Sequence, residues 1–127
     1  MTDHLLALSS DLGRFLLQSG QSLATAESCT GGLIAATLTE VAGSSGWFGW
    51  GVVSYANAAK MQLLAVQPET LHDHGAVSEA VVRQMATGVH GQQHLLHKLV
   101  VSSLYHRFLR TMIPICQCRH YLNFRYA

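Results

Sequence analysis

Short apolar segments that alternate with amphipathic helices constrain the fold of this chain more than any other feature. The pattern predicts strands over residues 22–27 and 47–55, each followed closely by a helix. The predicted helices cover residues 3–19, 33–42, 57–66 and 69–74, and a fifth helix follows Ser78. Because alternating strands and helices pack as layers around one sheet, the sequence predicts an α/β fold.

The first helix shows how the core is expected to form. Asp3 is its predicted N-cap, and Gly20 is the predicted glycine that ends it. The residues predicted to face the interior are Leu5, Leu8, Leu12, Phe15 and Leu16.

The composition is typical of a single globular domain. Of the 127 residues, 49% are apolar and 12% are charged, which argues against intrinsic disorder. No apolar run reaches the roughly 18 residues of a membrane span, and the N-terminus lacks the pattern of a signal peptide. The three cysteines form no disulfide framework. We therefore expect a cytoplasmic protein.

The turn from Ser28 to Gly32 is the first segment that indicates chemistry. It places a hydroxyl between the end of a predicted strand and the start of a helix. The N–H groups of Thr30, Gly31 and Gly32 are predicted to be unpaired there. With the helix dipole they would form a site for a phosphate or for the oxyanion of a tetrahedral intermediate. The alternative interpretation is structural: the glycines permit the turn and Ser28 caps the helix.

A second segment follows the second predicted strand, where Tyr55 precedes Lys60 by five positions. The carboxyl ends of parallel strands meet at one sheet edge, so Ser28 and Tyr55 are predicted neighbours, with Lys60 turned back toward them from the next helix. Serine needs a base to become a nucleophile, and a partly buried lysine can serve because desolvation lowers its pKa. The alternative is an ordinary solvated lysine.

Four segments together resemble the C-terminal domain of the CinA family, which includes the bacterial nicotinamide-nucleotide amidases. The segments are Ala26–Gly32, Ala42–Phe48, Gly51–Lys60 and His74–Glu79. They occur in the family's order and at its spacing, over about residues 3 to 90. Each segment is weak evidence alone, whereas the joint pattern is specific.

The resemblance implies a three-layer α/β/α sandwich that hydrolyses the carboxamide of nicotinamide mononucleotide to nicotinic acid mononucleotide and ammonia. It implies a small nucleotide as the partner, with no metal required. We expect no cofactor and, from the apolar runs and the charges, neither a nucleic acid nor a membrane as a partner. Ser28 matches the family's nucleophile, Lys60 its general base, and Tyr55 the hydroxyl that orients or relays the proton. The positions that match the family's substrate pocket are Thr30, Gly31, Gly32 and Asn57.

The C-terminal part of the chain differs from the rest. All seven acidic residues precede position 80, five of the eight lysines and arginines lie in residues 91–127, and no glycine follows Gly91. The segment around residues 96–112 fits either a strand or a helix. The resemblance calls for a glycine-rich phosphate loop after about residue 102, and such a loop is hard to build without glycine. We therefore predict a CinA-like domain over 1–102, incomplete at its C-terminus, and a divergent basic tail over 103–127 that arose by frameshift, truncation or an altered gene end.

Three functions remain open. The first is the amidase, and the second is a truncated, inactive CinA-like domain that retains at most nucleotide binding. The third is a nucleic-acid or partner-binding module formed by the basic tail, for which five cations are few. Cys116, Cys118 and His120 are a weak metal candidate because their spacing is unusual for zinc. A missing strand would expose a sheet edge, so copies of the chain are expected to associate.

Overall fold

Two parallel strands lie between two layers of helices in the computed structural model, which describes residues 2–91. The elements in chain order are α1 (Asp3–Ser19), β1 (Leu23–Glu27), α2 (Leu33–Thr39), a 3-10 turn (Ser44–Gly46), β2 (Phe48–Val53), α3 (Asn57–Leu64), α4 (Pro68–His74) and α5 (Glu79–Gly91). The predicted α/β class is confirmed. The tail over 103–127, the segment 96–112, the boundary at 102 and the Cys116–His120 cluster lie outside the described residues.

The pairing of the two strands positions the candidate site. Leu23 lies opposite Phe48 and Glu27 lies opposite Val53, with one irregularity directly after Leu23. The N–H of Ser54 donates a 2.8 Å hydrogen bond to the carbonyl oxygen of Glu27, which extends the ladder past the end of β2. Because the strands are parallel, the turn after β1 and the loop after β2 leave the sheet at the same edge.

Neighbouring residues of β1 belong to different cores, which shows that the sheet is covered on both faces. Successive strand residues point to opposite faces. Leu23 packs in one cluster with residues of α1 and α2, and Ala24 packs in another with residues of α3 and α5. The first cluster contains Leu16, Leu23, Leu38 and Trp47, and the second contains Ala24, Leu64, Val66, Val81, Met85 and Val89. The described residues therefore form three layers, α/β/α.

The buried face of α1 differs from the predicted one. Its buried residues are Leu5, Ser9, Gly13 and Leu16, while the Phe15 side chain is 58% exposed. A Cβ at Gly13 would lie 2.6 Å from the indole of Trp47, so only glycine allows the helix to approach this ring. That close approach turns Phe15 away from the core, and its predicted burial is wrong. The N-cap is Thr2, and Asp3 is the first helical residue.

Local capping explains where the other helices begin and end. Helix α3 ends at Leu64 because Ala65 adopts a left-handed conformation, with φ of 54°. Pro68 is the first residue of α4, where its missing N–H costs little. The hydroxyl of Ser78 accepts a 3.3 Å hydrogen bond from the N–H of Val81, as the predicted cap of α5. None of the helices within residues 2–91 combines the length and the apolarity that a membrane crossing requires.

Candidate active site

The amine of Lys60 meets the hydroxyl of Ser28 at the edge where both strands end. Ser28 directly follows β1, and Lys60 is the fourth residue of α3. The Lys60 Nζ atom is 3.0 Å from Ser28 Oγ, although 32 positions separate the two residues. The structure thus brings together the two side chains that the sequence analysis assigned as nucleophile and base.

Lys60 is buried, and no carboxylate of residues 2–91 is among its hydrogen-bond partners. The residue is 2% exposed, which rules out the solvated surface lysine considered from the sequence. Its Nζ also donates to the carbonyl oxygens of Ser54, at 2.9 Å, and Tyr55, at 2.8 Å. Burial lowers the pKa of Lys60 below its usual value of 10.5, and the charge on Cys29 opposes that shift in part.

The two carbonyl oxygens determine what the amine can do. A neutral amine has two N–H donors and one lone pair, and a carbonyl oxygen can only accept a hydrogen bond. The ammonium donates to Ser28 Oγ as well, whereas a neutral amine that directs both hydrogens to Ser54 and Tyr55 turns its lone pair to Ser28 Oγ and can accept the hydroxyl proton. The arrangement therefore presents a proton acceptor to one hydroxyl.

Glu27 is a second buried charged residue at this edge, and it was not among the predicted site residues. It is 2% exposed. One carboxylate oxygen accepts from the Thr30 hydroxyl at 2.8 Å and from the Ile34 N–H at 2.9 Å, and the other accepts from the Ala35 N–H at 3.0 Å. Gly32, the N-cap of α2, has no side chain to cap the helix, so Glu27 caps it from the end of β1.

The anion site predicted at the start of α2 is largely filled by the protein itself. The Gly31 N–H donates to the carbonyl oxygen of Ser28 at 2.9 Å, so its predicted unpaired state is wrong. The Glu27 carboxylate takes N–H groups of the first helical turn, and its charge would repel a phosphate there. Within residues 2–91, no hydrogen bond leaves the N–H groups of Thr30 and Gly32.

The two glycines of the turn are required by its backbone. Gly31 and Gly32 have φ values of 61° and 95°, in the left-handed region that side chains disfavour. A Cβ at Gly32 would also approach the Val53 side chain to 3.3 Å. Both residues thus have a structural reason to be glycine, beside their predicted place near a substrate.

Of the remaining predicted site residues, Tyr55 and Asn57 lie at the surface of the same edge, and Thr30 is partly buried. The Tyr55 side chain is 73% exposed, and its contact with Lys60 is through the backbone carbonyl. Asn57 is the exposed first residue of α3. The Thr30 hydroxyl donates to Glu27. Within residues 2–91, no group of three or more His, Cys, Asp or Glu side chains is placed to hold a metal ion.

Ser54 could not be identified from its side chain, because its role at Lys60 uses the backbone carbonyl. Its own hydroxyl is buried and makes no hydrogen bond within the described part of the chain. The sequence does place Ser54 at the end of a predicted strand, which is the one feature that points to it.

Comparison with known proteins shows the family. Residues 6–98 match the family defined as the CinA C-terminal domain. The chain is 53% identical over 89 residues to the nicotinamide-nucleotide amidohydrolase PncC of Escherichia coli, a match that covers 69% of this chain and 54% of that protein. It is 51% identical over 83 residues to a CinA-like protein of Shewanella pealeana, covering 65% of this chain and 20% of that protein.

Solved structures show similarity to the same family. A CinA superfamily protein of Escherichia coli superposes with a TM-score of 0.69 and 36% identity over 73% of this chain and 55% of that structure. The competence/damage inducible protein CihA of Agrobacterium tumefaciens gives a TM-score of 0.68 and 44% identity over 69% of this chain and 53% of that structure. The chain thus spans about half the length of the amidohydrolase that it matches. With a family match over most of its residues and this structural similarity, the chain belongs to the CinA C-terminal domain family.

Proposed function

We propose that this chain is an amidohydrolase that converts nicotinamide mononucleotide to nicotinic acid mononucleotide and ammonia, with Ser28 as the nucleophile. The observation that supports it most is the 3.0 Å separation between Ser28 Oγ and the buried amine of Lys60. A hydroxyl paired with a desolvated amine is a nucleophile with its base. The substrate is suggested by the Escherichia coli relative, whose name is nicotinamide-nucleotide amidohydrolase.

In the first half of the reaction, neutral Lys60 takes the proton of the Ser28 hydroxyl as Oγ attacks the carboxamide carbon. The C=O bond becomes a single bond to an oxyanion, and the protonated Lys60 then gives its proton to the amide nitrogen. The C–N bond breaks, ammonia leaves, and Ser28 carries the acid as an ester. Proton transfer by a positioned group contributes about 10²–10⁴-fold to such a reaction.

In the second half, a water molecule replaces ammonia. Lys60 takes a proton from the water as its oxygen attacks the ester carbon, and the proton then passes to Ser28 Oγ as the C–O bond breaks. Nicotinic acid mononucleotide is released and Ser28 regains its hydroxyl. Each atom of the amide and of water is accounted for, and no metal or redox partner takes part in either half.

The oxyanion needs donors near Ser28. The N–H groups of Thr30 and Gly32, in the turn that Ser28 begins, have no acceptor within residues 2–91 and are our candidates. One well-placed donor of this kind is worth about 3 kcal/mol of barrier. We assign Tyr55 to orienting the amide or relaying its proton, and the exposed Asn57 to contact with the substrate.

The test is ammonia release from nicotinamide mononucleotide by the full chain, compared with Ser28→Ala. Ser10→Ala, a serine-to-alanine change in α1, is the control, because within residues 2–91 that hydroxyl bonds only to the carbonyl oxygen of Leu6. Activity in the parent and in the control, but not in Ser28→Ala, supports the proposal. Activity that survives in Ser28→Ala removes Ser28 as the nucleophile.

The second candidate is an inactive domain that retains at most nucleotide binding. It is suggested by the absence of glycine after Gly91, where the family resemblance calls for a glycine-rich phosphate loop. The inactive domain is supported instead if neither the parent nor Ser28→Ala releases ammonia, while the parent binds nicotinamide mononucleotide in a calorimetric titration.

A further inference from the structure

We propose that Glu27 is a positioning residue that holds the Ser28 turn against Lys60, a role that rests on the proposed function of that pair. The proposal concerns the cap at the start of α2, which comes from a residue on the other side of the turn. Glu27 would then affect the reaction through the turn, without touching the reacting atoms.

The position of Glu27 is unusual for a helix cap. The common caps are Ser, Thr, Asp or Asn at the N-cap position itself, which is Gly32 here. Glu27 instead spans the whole turn, from the last residue of β1 to the N–H groups of Ile34 and Ala35 in the first turn of α2. The hydrogen bond from the Thr30 hydroxyl ties the middle of the turn to the same carboxylate.

Burying the Glu27 carboxylate as a cap also costs free energy of desolvation. The residue is 2% exposed, and within residues 2–91 its carboxylate forms no ion pair with a lysine, arginine or histidine. A buried charge without a countercharge must be stabilised by hydrogen bonds alone. A Ser or Asp cap at position 32 would be strained, because Gly32 has a φ of 95°, so the cap of α2 comes from Glu27 across the turn.

The turn itself needs an external restraint. Gly31 and Gly32 both have positive φ, and glycine has the largest conformational freedom of any residue. Ser28 lies between these glycines and β1, yet its Oγ must stay 3.0 Å from Lys60 Nζ. The N–H of Ser54 fixes the backbone of Glu27 to the sheet, and the Glu27 side chain fixes the far end of the turn. Both ends of the Ser28 turn are therefore held by one residue.

Glu27→Gln tests whether the hydrogen bonds of the carboxylate hold the turn, because the substitution keeps the volume of the side chain. The amide has nearly the same shape, but its NH₂ group is a donor. Both carboxylate oxygens accept backbone N–H groups, so in either orientation the amide leaves Ile34 or Ala35 without its acceptor. The turn should loosen while the core around it keeps its side chains.

The first readout is the chemical step. A misplacement of about 1 Å costs on the order of 100-fold in rate, so Glu27→Gln should lower kcat by about that factor with little change in KM. Val89→Ala is the control, because Val89 is fully buried in the core cluster with Met85 and its loss destabilises the fold without touching the turn. Its kcat per folded molecule should stay within a few-fold of the parent. An unchanged kcat in folded Glu27→Gln overturns the proposal.

The second readout does not depend on turnover. The chain has two lysines, Lys60 and Lys98, so a sample labelled with 13C at lysine Cε gives two NMR signals that Lys98→Arg assigns. Glu27→Gln should lower the titration midpoint of Lys60, because Ser28 Oγ no longer accepts from the ammonium. In a protein that already carries Ser28→Ala, Glu27→Gln should change the Lys60 midpoint little, because the hydrogen bond between the Ser28 hydroxyl and Lys60 is already absent.

The two readouts distinguish refutation of the positioning role from refutation of the proposed amidase function. If the parent releases no ammonia, the amidase proposal fails, and the Lys60 titration still decides the role of Glu27. An equal shift in both backgrounds means that Glu27 acts through its charge, and that result overturns positioning. If Glu27→Gln does not fold, Glu27→Asp keeps the charge but is one methylene shorter. If Glu27→Asp has the same Lys60 midpoint and the same kcat as the parent, the positioning role of Glu27 is also overturned.

Discussion

The amine of Lys60 lies 2.9 Å from the backbone carbonyl oxygen of Ser54, the residue directly after β2. This contact ties a side chain of α3 back to the end of the strand that precedes the helix. The acceptor is a neutral carbonyl, so it fixes the amine without supplying the countercharge that would keep it protonated. Burial then lowers the pKa of Lys60, which is the property that the proposed base requires.

Lys60→Arg should remove the base while keeping a cation. A guanidinium stays protonated near neutral pH, so it cannot accept the Ser28 proton. We expect ammonia release to fall by about 10²–10⁴-fold. Lys60→Met, which removes the charge but keeps a long side chain, should lose a similar factor. Either variant retaining more than a tenth of the parental activity would argue against Lys60 as the base.

Tyr55→Phe should separate function from stability. The Tyr55 side chain is 73% exposed, so loss of its hydroxyl should change the free energy of unfolding by less than about 0.5 kcal/mol. If the hydroxyl relays the amide proton, ammonia release should fall by about 10²-fold. Thermal unfolding and the ammonia assay on the same sample check both halves. Full activity in this variant would remove Tyr55 from the proposed mechanism.

Cys29→Ser should make Lys60 less basic. The charge on Cys29 favours the ammonium and raises the pKa of Lys60 against the larger effect of burial. Serine removes that charge, so the Lys60 titration midpoint should move to lower pH, as measured by NMR. A midpoint that rises, or stays the same, would show that the two side chains do not interact in solution.

Gly88→Ala should destabilise the fold because α5 packs against α3 at this residue. A Cβ at Gly88 would lie 2.6 Å from the carbonyl carbon of Leu64 and closer still to its oxygen. Overpacking of this kind costs about 1–3 kcal/mol. Gly91→Ala is the matched control in the same helix, since no described atom lies within 4 Å of its Cβ position. That change should be neutral or stabilise by up to about 1 kcal/mol. Urea unfolding of the two variants measures the contrast, and equal stabilities would show that α3 and α5 are farther apart.

The meeting of Ser28 and Lys60 was predictable because it depends on topology. Parallel strands end at one edge, so a hydroxyl after the first strand and an amine in the helix after the second are brought to the same place. The resemblance to the CinA family added the proposed substrate, which no spacing in the sequence can supply.

The features that were missed depend on contacts between distant parts of the chain. Nothing in the pattern around Glu27 distinguishes a carboxylate that caps a helix seven positions later from an ordinary acid at a strand end. The orientation of α1 depends on how closely Gly13 approaches Trp47, so the helical periodicity alone wrongly placed Phe15 in the core. In both cases tertiary packing overrides the local pattern.

The direct test of the account is the titration of Lys60 in the folded protein, compared with the pH dependence of kcat/KM for ammonia release. Because the folded pKa lies below the usual 10.5, the unfolded chain binds more protons between the two values. The free energy of unfolding should therefore rise with pH across that window. We predict a 13Cε midpoint for Lys60 below 10.5, and an activity that rises with pH with the same midpoint. A Lys60 midpoint at or above 10.5, or an activity that does not follow its deprotonation, would contradict the pairing of Ser28 and Lys60 as nucleophile and base.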